Sequence, residues 1–87
     1  MKQPSKIEIT EKIKDAIAGK TTRESVGDWV RFFVNHDEDI DITDLDAWHY
    51  LVAIGCIDLG IAPNEYLYSD DDLMDIANKY ITINDYL

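Results

Sequence analysis

Apolar residues recur at helical spacing in four stretches of the chain. In the first, Ile9, Ile13, Ala16 and Ile17 share one stripe, the i, i+4, i+7, i+8 pattern of a helix with one buried side. Ser5 followed by Glu8 has the form of a capping box and Gly19 that of a stop, so a helix is expected from about Lys6 to Ala18. Val26, Trp29, Val30, Phe33 and Val34 form the second stripe, opened by Thr21 with Glu24 and closed by Asn35 and His36, while Phe32 falls off it. Gly27 weakens that helix by about 1 kcal/mol relative to Ala, and its bare backbone predicts close approach by another helix or a Trp ring. The third helix is expected after Thr43, with Asp46 as box partner. From Ala47 to Ile57 it is apolar nearly all round, the pattern of a central, buried helix. Gly55 and Gly60 leave its end open anywhere between them, and length and cap favour it over a strand at Leu51–Ile57. The fourth follows Ser69, with Asp72 as box partner and Leu73, Ile76, Ala77 and Tyr80 inward beside Met74 and Ile81. Residues 61–68 read as a loop broken by Pro63 and Asn64, and residues 82–87 as an extended or frayed tail. The expected architecture is all-α, a four-helix bundle in a single domain over residues 1–87.

Composition narrows the setting. The longest uncharged stretch, Ala47 to Ile57, is far shorter than the roughly 20 residues that span a bilayer. Met1 to Ser5 lead into charged residues rather than an apolar signal core, so a cytoplasmic protein with no membrane contact is expected. Cys56 is the one cysteine; it excludes an internal disulfide and a cysteine-paired zinc knuckle, and reads as a buried structural thiol.

Charge changes the picture most. Net charge is −10, from 18 acids against 8 Lys and Arg. Residues 1–34 hold seven basic and five acidic residues, and residues 35–87 hold one, Lys79, against thirteen acids. The acids cluster at Asp37, Glu38, Asp39, Asp41, Asp44 and Asp46, and at Asp70, Asp71, Asp72 and Asp75. Acids favour helix N-termini, which accounts for one or two in each group. The rest form either a solvated face or a docking surface whose field steers a basic partner.

Specific chemistry finds little support. Asp37, Asp39 and Asp41 occupy the first three ligand positions of a calcium loop, but Ile42 stands where the turn needs Gly and Trp48 where it needs a bidentate Glu. His36 and His49 have no second ligand at metal spacing. Gly19-Lys20-Thr21 lacks the upstream glycine of a phosphate loop, Lys14 standing there. No enzyme, metal or cofactor is expected. The few dispersed Lys and Arg, set against the acidic remainder, argue against direct nucleic-acid contact.

The aromatics suggest binding. Tyr66 and Tyr68 alternate with Leu67 immediately before Asp70, Asp71 and Asp72, rings for anchoring beside carboxylates for steering. One ring packing under the loop is the plain alternative. In size, acidity, helical pattern and this tyrosine-bearing acidic segment, the chain resembles the small immunity proteins that neutralise bacterial toxins, the colicin-nuclease immunity family among them. Asn64-Glu65-Tyr66-Leu67-Tyr68-Ser69 is the nearest counterpart of that family's acidic tyrosine segment. Residues 19–26 with Trp29-Val30 look like the opening of other immunity-type proteins. The resemblance implies a stoichiometric inhibitor of a basic toxin or nuclease, docking through Asp37, Glu38, Asp39, Asp41, Tyr66, Tyr68, Asp70, Asp71 and Asp72. A nucleic-acid mimic or regulatory adapter of bacterial or phage origin is the other expectation.

Overall fold

The computed structural model describes residues 1–63 and 65–81; Asn64 and the tail at 82–87 lie outside the described residues. Four helices follow in order: α1 (Lys6–Ile17), α2 (Arg23–Asn35), α3 (Leu45–Ala53) and α4 (Asp70–Tyr80). Single 3-10 turns at Asp37–Asp39 and Ile54–Cys56 flank α3. The fold is therefore mostly helical but not purely so. The segment expected as a loop pairs as a small antiparallel sheet, β1 (Gly60–Ala62) with β2 (Glu65–Tyr66). Lys2 also bridges Asp41.

Caps set the helix starts. Ser5 and Ser69 form full boxes with Glu8 and Asp72. The other two starts move one residue onward from the sequence expectation. Gly19, at φ 77°, turns the chain so that the N–H groups of Lys20 and Thr21 both reach the Asp15 carbonyl. Thr21 is thus spent in the turn, and Thr22 caps α2. At α3 the Gln3 side chain accepts from the N–H groups of Thr43 and Asp44 at 2.7 and 2.9 Å. Asp44, not Thr43, then caps the helix by accepting from the Ala47 N–H.

One core joins the helices. Ile9, Ile13, Val26, Val30, Tyr50, Leu51, Ile54, Ile57, Leu73 and Ala77 pack together, with Trp29, Phe33, Trp48 and Tyr80 partly buried around them. Tyr50 is fully buried, and its hydroxyl lies 2.8 Å from that of Thr10. The Thr10 hydroxyl also lies 2.9 Å from the Lys6 carbonyl, to which it donates. Its ring stacks on Tyr80 at 5.1 Å and 7°. The third helix departs from expectation here. Its inner face is Ala47, Tyr50 and Leu51, but Leu45, His49, Val52 and Cys56 are exposed. Cys56 is an exposed free thiol rather than a buried one, because the 3-10 turn rotates it off the core side that Ile54 and Ile57 occupy. Among the described residues, no helix is long and apolar enough to cross a membrane.

Candidate nucleic-acid interface

The cations are placed by three elements. Residues 1–22 carry Lys2, Lys6, Lys12, Lys14 and Lys20 against Glu8, Glu11 and Asp15. Five lysines against three acids give α1 and its flanking turns a small excess of positive charge. Lys2, Lys14 and Lys20 are exposed and, among the described residues, form no ion pair. Lys12, partly exposed, lies 5.3 Å from the centre of the Trp29 ring, a cation–π contact. Lys79, at the far end of α4, lies over Tyr80.

Both arginines stand on α2, and both are committed inside the molecule. The Arg23 side chain, 12% exposed, donates to the Asp70 carboxylate at 2.9 Å. It also donates to the carbonyls of Ile57 and Tyr68, and its guanidinium lies 4.5 Å over the Tyr66 ring. Arg31 donates to Asp28 at 2.7 Å and to Asp58 at 2.9 Å. Asp58 reaches that position because Gly27 has no side chain: a Cβ there would stand 2.6 Å from an Asp58 carboxylate oxygen. The close approach expected at Gly27 is real, but a carboxylate makes it, not a ring or a helix. The Arg31 hydrogen bond holds the Asp58 carboxyl below its ordinary range, and the same bonds raise the Arg31 guanidinium.

The residues singled out for docking fall in three places. Asp37, Glu38 and Asp39 form the exposed 3-10 turn, and Asp41 accompanies Lys2 beside it. Asp70, Asp71 and Asp72 make the first turn of α4, where they favour the helix dipole. Tyr66 donates its hydroxyl to Glu24, which, with burial, raises its ionisation above the ordinary tyrosine range. Tyr68 packs partly against the core. The two arginines that organise this region were missed by sequence reasoning. The signal was present for one of them, a glycine one helical turn before Arg31.

A family model described as YxzC DNA-binding protein matches residues 2–80. The uncharacterized protein YxzC of Bacillus subtilis (strain 168) is 40% identical over 74 residues, which are 85% of this chain and 60% of that protein. The chain thus spans about 60% of the length of this relative. No solved structure matches.

These matches overturn the immunity reading. A toxin inhibitor docked on a basic protein, with no direct nucleic-acid contact, is not what the family describes. The reason is physical. Size, acidity and a helical period are shared by many unrelated small proteins, and part of the acid density at helix starts arises from capping. The suggestive tyrosine segment is also partly occupied within the chain, through Tyr66 with Glu24 and Asp70 with Arg23.

Proposed function

This chain belongs to the YxzC DNA-binding protein family, and from that premise we propose that it is a small DNA-associated regulatory protein that acts by binding and not by turnover. The family match carries the reading. Its DNA-facing element is α1 with its flanking turns through Lys20, where lysines outnumber acids five to three over residues 1–22. Lysine ammonium groups there meet backbone phosphates as point charges, and sequence readout by arginine is closed because Arg23 and Arg31 are held by carboxylates. The non-catalytic part of the reading is supported by the shifted groups themselves. Arg31, Asp58 and Tyr66 are each accounted for by a neighbouring ion pair or hydrogen bond, and none is poised for proton transfer. A cytoplasmic location goes with this reading.

Contact through about three lysines releases few counterions, so affinity falls with salt at a log–log slope of about −3. Fluorescence anisotropy with a short duplex, from low to physiological salt, tests this. Binding is expected at low salt with that slope, and Lys12→Gln, Lys14→Gln and Lys20→Gln together abolish it. Lys79→Gln, on α4, leaves it unchanged. No binding at low salt, or binding indifferent to the triple variant, refutes the assignment.

A further inference from the structure

We propose that one side of α2 is a stacking track for single-stranded DNA, so that an unpaired strand, and not a duplex, is the preferred partner. This rests on the DNA reading above and names the form of DNA concerned. The observation behind it is a row of rings in contact with one another. Trp29 meets Phe33 edge to face at 5.4 Å, Phe33 meets Phe32 in the same way at 5.4 Å, and Phe32 lies 4.7 Å from the His36 ring. The row runs outward from the core. Trp29 and Phe33 are partly buried against it, and Phe32 is 49% exposed. His36 is exposed, with its Nδ1 2.6 Å from the Phe32 carbonyl. That contact fixes the imidazole beside the Phe32 ring.

Three features select an unpaired strand as the occupant. The first is charge. Within α2, Ser25, Trp29, Phe32 and Phe33 fall within about 100° of arc at about 3.6 residues per turn. That arc contains no charged residue, since Arg23, Glu24, Asp28 and Arg31 all lie outside it. The second is what borders the arc. The Lys12 ammonium stands 5.3 Å from the centre of the Trp29 ring, and Lys20 precedes the Thr22 cap of the same helix. Rings for bases, with cations alongside for phosphates, are the two components of a single-strand site. The third is access. A duplex keeps its base faces stacked inside and offers groove edges, and the arginines that could read those edges are held by carboxylates. An unpaired strand offers the faces themselves, and every base has one. The track is short. Ser25 to Phe33 spans about 12 Å, room for about three bases at roughly 3.4 Å each. The acidic 3-10 turn that starts at Asp37 closes its far end.

Fluorescence anisotropy at low salt tests the track, with a labelled oligo-dT of about 12 nucleotides, alone and as its duplex with oligo-dA. The single strand is expected to bind about tenfold tighter than the duplex. Phe32→Ala, at an exposed ring, weakens single-strand binding about tenfold and leaves duplex binding unchanged. The salt slope also stays unchanged, because the variant removes stacking and no phosphate contact, and Phe32→Trp restores the affinity. Leu45→Ala, at another exposed apolar residue, on α3, changes nothing. Equal affinity for the two forms, or a Phe32→Ala chain that binds the single strand normally, overturns the track and means that another occupant covers these rings. In that case the joint Lys12, Lys14 and Lys20 variant still abolishes binding, and the role of α1 stands. Absence of binding by either form removes the DNA reading itself, and this proposal with it.

Discussion

The two ends of α2 each present an arginine, and the molecule treats them differently. Arg23 at the N-terminal end is nearly enclosed, lying on the Tyr66 ring and donating to two backbone carbonyls as well as to Asp70. Arg31, two turns on, is exposed and donates to carboxylates only. The first joins α2 to the hairpin and to the start of α4, closing a gap of 45 residues in sequence at Tyr68. The second joins α2 to Asp58, the residue that leaves the 3-10 turn. An enclosed arginine bonded to carbonyls holds chain segments together. An exposed one bonded to carboxylates mainly balances charge, because water competes for both partners.

The largest effect should come from Arg23. Arg23→Ala strands the carbonyls of Ile57 and Tyr68 and removes the floor of the Tyr66 ring. Losing hydrogen bonds from a charged donor at a part-buried site costs about 2 kcal/mol, which lowers Tm by about 10 °C in a chain of this size. Asp70→Asn, at a carboxylate 59% exposed, should cost less than about 0.5 kcal/mol. Arg23→Lys should not restore stability, since an ammonium has neither the planar fork nor the stacking face. Thermal denaturation of the three variants decides it. Equal losses for Arg23→Ala and Asp70→Asn would mean the ion pair, and not the carbonyl bonds, holds the hairpin.

This asymmetry marks what was readable in the sequence. The boxes at Ser5 and Ser69 and the stripe of α2 depend on neighbours within one or two turns, and local spacing revealed them. The Arg23 contacts depend on which distant carbonyls come to rest beside it, and no local pattern encodes that. The hairpin was hidden for a similar reason: Gly60 pairs with Tyr66 in a segment where Pro63 argues for a loop. The outer face of α3 misled in the opposite sense. Its apolarity was plain, but periodicity cannot distinguish burial in the chain's own core from exposure. The docking residues were chosen by charge density, which does not separate caps from contact surfaces.

Gly27 gives the next effect in size and sharpens the contrast at the Arg31 end. A Cβ at this position meets the Asp58 carboxylate at 2.6–2.9 Å, so Gly27→Ala drives that carboxylate off. Helix propensity gains up to about 1 kcal/mol and offsets the lost contact, leaving Tm little changed. The Asp58 titration is the telling readout. Followed by NMR, its carboxyl should rise from its depressed position toward the ordinary 3.8. An unmoved Asp58 would show that its low value owes nothing to the approach over Gly27.

The smallest effect separates the two ends by pH. Asp58 ionises below its ordinary 3.8 in the folded chain because Arg31 bonds its charged form. Its stabilisation is therefore complete above that value and is lost as pH falls through the depressed one. Tyr66 behaves in reverse. Its hydroxyl donates to Glu24 and ionises above the ordinary 10.0, so its contribution is complete below pH 10 and disappears as pH rises through the raised value. The Arg31 end should loosen in acid and the Arg23 end in alkali, with Asp58→Asn flattening only the acid limb of a denaturation-against-pH curve and Tyr66→Phe only the alkaline limb. Each variant flattening the other's limb would mean that the two ends of α2 are one coupled network, and the distinction between enclosed and exposed arginine would then carry no weight.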